Sequence, residues 1–205
     1  MNYKINFKYN RKKEIFKDFN IEIPENKITV ICGHNGAGKT TLLKILSGIF
    51  LTDIKETKGW LVPSSGGLIQ HFSLKEHLDI VNAKKNENWK EAYELFNAKE
   101  FEKSPIRRLS TGQEMMASLI VALASKEEIL YLDEPFASLD PTNAENLVKI
   151  LKNTKRTIVI TSHDLYLTTE IADNILFIKD GRISWKSENK QFSVEEIREI
   201  YKDYA

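Results

Sequence analysis

The feature that most restricts how this chain can fold is a glycine-rich run set between two opposite patterns. Residues 28–32, Ile-Thr-Val-Ile-Cys, are β-branched and apolar, as in a strand buried on both faces. They lead directly into Gly33-His34-Asn35-Gly36-Ala37-Gly38-Lys39-Thr40. Thr40, Thr41 and the apolar pair Leu42-Leu43 then begin a helix. The run fits G-x-x-x-x-G-K-[ST], the Walker A phosphate-binding pattern, and strand–loop–helix is the context that pattern requires. Glycines let the backbone curl until successive N–H groups point inward and form a nest for an anion. The positive end of the helix faces the same point. Gly33, Asn35, Gly36, Ala37, Gly38 and Thr41 are thus candidate phosphate-loop positions. Lys39 is placed to reach β- and γ-phosphate oxygens as a point charge, and the Thr40 hydroxyl to ligate Mg²⁺. The ligand class is a nucleoside triphosphate.

The 205 residues suffice for one α/β domain with a sizeable core, with room for a small lobe. Apolar residues at 41% and charged residues at 29% are ordinary for a globular protein. A net charge of +1 provides no basic field, so no nucleic-acid partner is expected. The one cysteine, Cys32, excludes an internal disulfide framework and fits a reducing compartment. At the end of a core strand it reads as an inert buried thiol. No apolar run approaches the roughly 18 residues of a membrane span. The richest, Met115 to Ala124, is interrupted by Ser118. The N-terminus lacks the apolar region of a signal peptide. Work at a membrane would need another chain to do the spanning.

In chain order, residues 4–9 alternate like an edge strand, residues 10–14 form a charged turn, and a second strand runs over about 15–23. Gly48 is placed to stop the helix after the loop. Trp60-Leu61-Val62 is a short strand, ended by Pro63-Ser64-Ser65-Gly66-Gly67. From about 74 to 101 apolar residues recur at helical spacing, which predicts a lobe of two or three helices ending at Pro105. His71 and His77 fall there and read as solvated, while Met115-Met116 pack at the lobe junction. Beyond the lobe the spacing predicts a helix over 110–126, strands over 129–132 and 157–161, and helices over 143–153 and 165–172. A hairpin turns at Asp180-Gly181, and Ser193 with Glu196 makes a capping box for a last helix. One domain over 1–205 is expected, its core about 1–66 and 110–205 and its lobe about 67–109.

Ile129-Leu130-Tyr131-Leu132-Asp133-Glu134 places two carboxylates at the end of an apolar strand, about ninety residues after the phosphate loop. The carboxyl end of a buried strand is where α/β sheets put ligand chemistry. Asp133 is the candidate Mg²⁺ ligand, through water, and Glu134 the residue that orients or deprotonates an attacking water.

Leu109-Ser110-Thr111-Gly112-Gln113 is similar to the Leu-Ser-Gly-Gly-Gln signature of ATP-binding cassette (ABC) ATPases. Asp133-Glu134-Pro135 followed by Ser138-Leu139-Asp140 resembles that family's Walker B extension and D-loop, and His163 its switch histidine. Order and spacing match from residue 4 to about 185. The resemblance implies a P-loop NTPase core with a parallel sheet, a small antiparallel β subdomain and an inserted helical lobe. It implies a head-to-tail dimer with a second ABC ATPase subunit, like or unlike, that sandwiches two ATP molecules. Ser110, Gly112 and Gln113 would then meet the γ-phosphate held by the partner, with Asp140 at the dimer interface. It further implies a transmembrane permease subunit and a peripheral place on the cytoplasmic face of the cell membrane. Tyr9 lies 24 residues before Gly33, where the family stacks an aromatic on adenine; a plain strand aromatic and Phe16 are the competing readings.

The chain departs from the family in the loop after 60–62, where a glutamine usually touches Mg²⁺ and water. Alignment puts Ser64 there as the candidate metal-side residue, and Gln70 is a substitute if the loop folds back. The stretch between Gly48 and Trp60 is short, so the antiparallel subdomain is trimmed. These trims resemble the small stand-alone cassettes of export-type transporters. Alternatives to a transporter subunit are a soluble cassette ATPase of iron–sulfur-assembly type and a degenerate cassette without turnover. Glu134 and His163 weigh against the last.

Overall fold

The computed structural model describes residues 1–10, 13–52, 59–83, 87–188 and 192–204. A six-stranded sheet carries the architecture, in the order β4–β5–β6–β3–β7–β8. Its strands are β3 (Ile28–Cys32), β4 (Trp60–Val62), β5 (Ile129–Asp133), β6 (Thr157–Thr161), β7 (Asn174–Lys179) and β8 (Arg182–Glu188). All neighbours pair in parallel except β7 and β8, which form the expected hairpin. Asp180 and Gly181 at its turn both have positive φ, as a two-residue hairpin turn of this kind requires. A separate antiparallel pair, β1 (Asn2–Asn10) and β2 (Lys13–Glu22), makes a two-stranded sheet.

Every residue of β3, β5 and β6 is buried, because helices and the small sheet cover both faces. Side chains alternate between two cores. Val30, Cys32, Leu130, Leu132, Ile158 and Ile160 face one cluster with α4 (Thr111–Ala124) and α5 (Pro141–Asn153). Ile31, Ile129, Tyr131 and Val159 face the other, with α1 (Lys39–Leu46) and the apolar face of β1 and β2. The lobe segment supplies α2 (Leu74–Ile80), α3 (Lys90–Leu95) and two single 3₁₀ turns. Its Leu74, Phe96, Phe101 and Ile106 join the same cluster as α4 and the sheet, so it shares a core with the rest. Met115 and Met116 are buried in that cluster. The short helix α6 (Leu165–Ile171) and α7 (Val194–Tyr204) complete the chain, and Ser193 and Glu196 exchange the capping-box hydrogen bonds expected for α7.

His77 is a correction to the sequence reading. It is buried, not solvated, and its Nε2 accepts the Ile69 N–H at 3.0 Å while its Nδ1 lies 2.8 Å from the Ser73 carbonyl. With Nε2 accepting, Nδ1–H donates, and the ring ties the loop before α2 to the start of that helix. His71 is exposed, as expected. Cys32 is fully buried, and burial pushes its thiol up to about 12, which keeps it protonated and inert. Residues 53–58, within the stretch read as trimmed, and 11–12, within the charged turn, lie outside the described residues. Among the described residues no helix is long and apolar enough to cross a membrane.

Candidate active site

Four parallel strands end on one cleft of about 410 Å³. The loop after β3 brings Asn35, Gly36, Gly38, Lys39, Thr40 and Thr41; the loop after β4 brings Ser64; β5 brings Asp133 and Glu134; the turn after β6 brings His163. Tyr9 of β1 stands at the margin, joined by Ile15 of β2, which sequence reasoning missed. The cleft therefore lies at the carboxyl ends of the strands, where an open α/β sheet leaves a crevice.

Glycine is enforced at two loop positions. A Cβ on Gly33 (φ +150°) would lie 2.3 Å from the Ile178 carbonyl oxygen. One on Gly38 (φ +103°) would lie 2.9 Å from the Phe16 ring. Phe16 is thus packed beneath the loop and fully buried, which removes it as a base-stacking aromatic. Tyr9 is 48% exposed, its hydroxyl is 2.9 Å from Thr41 Oγ1, and its ring meets Phe7 and Phe50 edge-on. Ala37 faces the core and its N–H donates to His34 O, so it shapes the loop from below.

Lys39 Nζ donates to Gly33 O (2.8 Å) and His34 O (3.2 Å) and lies 3.1 Å from His163 Nε2. An ammonium has only donors, so in that contact Nε2 accepts. Burial lowers the Lys39 pKa, opposed first by Glu134. Glu134 Oε2 accepts the His163 backbone N–H at 3.2 Å. Its Oε1 lies 3.1 Å from the same Nε2, yet it is buried without a hydrogen-bond partner. Burial raises the Glu134 pKa, with His163 and Lys39 opposing. A carboxylate at the cleft whose proton affinity is raised in this way has the character a base for an attacking water requires.

Asp133 is buried and fully engaged. Thr40 Oγ1 lies 3.1 and 3.0 Å from its two oxygens, and Thr161 Oγ1 donates to Oδ1 at 2.7 Å. Thr40 hydroxyl and Asp133 carboxylate together form the oxygen-donor pair that suits Mg²⁺, an ion that takes one or two protein ligands and fills its shell with phosphate and water. Among the described residues no cluster of three or more His, Cys, Asp and Glu forms a self-sufficient metal cage.

Gln70 does not fold into the cleft. Its Nε2 donates to Glu114 Oε1 on α4 at 2.9 Å, leaving Ser64 as the residue of that loop at the site. Ser110, Gly112, Gln113 and Asp140 are also outside the cleft. Ser110 caps α4, its hydroxyl accepting the Gln113 N–H while Gln113 Oε1 accepts the Ser110 N–H. Asp140 caps α5 in the same way, accepting the Asn143 N–H at 3.0 Å. A Cβ on Gly112 would lie 2.9 Å from Ser138 O, so the two caps pack closely.

The sequence and fold have relatives. Residues 16–137 match the family model described as ABC transporter. The zinc import ATP-binding protein of Halorhodospira halophila is 32% identical over 186 residues, 84% of this chain and 71% of that one. The L-arabinose transport ATP-binding protein of Geobacillus stearothermophilus is 29% identical over 214 residues, 88% of this chain but 42% of its own length. A dimeric bacterial ABC transporter cassette superposes with a TM-score of 0.80 at 20% identity, covering 94% of this chain and 100% of that one. The direction in the zinc relative's name is import, so the export-type subclass gains no support there. The chain belongs to the ABC transporter family and is an ATP-binding, ATP-hydrolysing cassette of that family.

Proposed function

We propose that the chain energises transport by closing, with a second cassette, over two ATP molecules. In this reading the phosphates lie on the loop 33–40 with Lys39 on the β- and γ-oxygens, and Tyr9 stacks on the base. Thr40 and Asp133 hold Mg²⁺, with Ser64 on its water side; the ion, when bound, neutralises charge between the β- and γ-phosphates. The Glu134 carboxylate takes the proton of the attacking water, and His163 contacts the γ-phosphate.

Ser110, Gly112 and Gln113 open the 14-residue helix α4 and are solvent-facing or half-buried, away from this chain's own cleft. That placement supports the head-to-tail arrangement: the N-terminus of α4 in one cassette faces the γ-phosphate bound by the other. Asp140 then lies at the same seam. Hydrolysis removes the charge that holds the two faces together. Exposed Ile69, Phe72 and Ile80 on the lobe segment 67–109 suit a permease subunit, which would hold the chain peripherally at the cytoplasmic membrane face.

The observation that carries this reading is the convergence of Glu134, Lys39, Thr40, Asp133 and His163 on one cleft, with Glu134 held by the His163 N–H. Glu134→Gln is expected to bind MgATP, lose turnover by at least about 100-fold, and accumulate as an ATP-bound dimer on size-exclusion chromatography. Turnover at the native rate would overturn the assignment of Glu134.

A further inference from the structure

Thr161 is fully buried at the last position of β6, where residues expected for strand propensity alone are Thr, Val and Ile. The parallel register sets it beside Asp133. Its hydroxyl makes two contacts whose directions are fixed by chemistry. Oγ1 donates to Asp133 Oδ1 at 2.7 Å, because a carboxylate only accepts. The same Oγ1 accepts the Glu134 N–H at 3.0 Å, because an amide N–H only donates. Proton order therefore runs one way, from the Glu134 amide through the Thr161 hydroxyl to the Asp133 carboxylate.

Glu134 also has φ +50°, the left-handed region that a non-glycine residue enters at a cost. Its N–H is shared between Thr161 Oγ1 and the Thr161 carbonyl, the latter at 3.2 Å. The left-handed turn at Glu134 accompanies the placement of Oε2 on the His163 N–H and of the residue at the cleft. Thr161 at the end of β6 thus holds the Asp133 carboxylate and the Glu134 N–H, and the His163 N–H just beyond it holds the Glu134 carboxylate.

We infer that Thr161 is a positioning residue for hydrolysis, its hydroxyl aligning Asp133 and Glu134 with each other. It does not line the cleft. This rests on the reading of Glu134 as the base. Valine at this site keeps shape, burial and strand propensity while removing both hydrogen bonds.

The test compares Thr161→Val, Thr161→Ser and Glu134→Gln in the full chain. Thr161→Val is expected to lower kcat by roughly 10- to 100-fold, the loss for one hydrogen bond to a charged group. The dissociation constant for ATP measured in EDTA stays within about 3-fold, since Lys39 and the loop are untouched. Thr161→Ser restores kcat to within about 3-fold of native. A Thr161→Val enzyme as fast as native overturns the inference. So does a Thr161→Ser enzyme as slow as Thr161→Val, which would assign the effect to packing. If Thr161→Val does not fold, Thr161→Ala read against Thr161→Ser makes the same comparison. Native turnover in Glu134→Gln would instead remove the reading on which the inference rests, and the inference with it.

Discussion

The two ends of this molecule that carry its motifs are built in opposite ways. At the cleft, the polar groups are held by residues far away in the chain: Thr40 on Asp133, Lys39 by His163, Glu134 by Thr161 and His163. At the start of α4 and α5, Ser110 bonds Gln113 and Asp140 bonds Asn143, each three residues on. The first pattern requires the whole sheet to be in register. The second satisfies helix ends locally and leaves them facing outward. A site completed by its own chain needs long-range organisation; a surface that, in the proposed reading, meets another cassette needs only to be pre-shaped and self-satisfied. Gly112 against Ser138 O is the exception at the second end, a close approach that locks the two caps together.

The largest expected effect breaks the first end. Lys39→Ala removes a charge-assisted contact to phosphate together with the clip on Gly33 O and His34 O. ATP affinity is expected to fall by on the order of 100-fold or more, read by equilibrium fluorescence or calorimetry. Retained tight binding would sink the phosphate-loop assignment.

A smaller effect separates the two ends. Helix propensity alone makes Gly112→Ala stabilising by about 0.5–1 kcal/mol. The backbone oxygen of Ser138 at 2.9 Å from the new Cβ reverses that sign, because backbone cannot yield as a flexible side chain would. The variant is expected to melt lower than native and to lose turnover by roughly 10- to 100-fold through misplacement of α4's N-terminus. ATP affinity of the single chain stays within about twofold, since Gly112 does not line the cleft. A parallel loss of ATP affinity would show that the ends are not separable.

How much of this was legible in the sequence follows the same division. The β-branched runs at 28–32 and 157–161 and the apolar run at 129–132 gave their strands away because a doubly covered sheet needs no polar face. Both helix caps and the hairpin at Asp180-Gly181 were legible because their signals lie within a few residues. Thr161 was not, since a threonine in a strand looks like strand propensity and its role exists only through the register with Asp133. The same holds for the left-handed Glu134, which no local pattern announces. His77 was misread because its environment is made by the Ile69 amide folding back across eight residues. Gln70 was left open for a similar reason: its partner, Glu114, is 44 residues away.

The smallest predicted effect compares the ends through their charges. Burial raises the Glu134 pKa in the folded chain, so the folded state holds that proton more tightly than the unfolded state does. The ionised group therefore destabilises the fold at neutral pH, and the penalty disappears as pH falls through the folded value toward the unfolded one, about 4.3. Asp140 has the opposite sign. The Asn143 amide and side chain hold its carboxyl below the ordinary range, so its contribution is present above about 3.9 and is lost as pH falls through the folded value. Without nucleotide, Glu134→Gln is then expected to melt a few degrees above native at pH 7, and Asp140→Asn slightly below it. Both gaps close on acidification, the first beginning at the higher pH because its folded pKa is the raised one. Melting curves for the three proteins between pH 7 and 2 decide this, the Asp140 gap closing only below about 3.9. A Glu134→Gln chain that melts at or below native at pH 7 would mean that the cleft carries no desolvation penalty at its base, and that the two ends differ in connectivity alone.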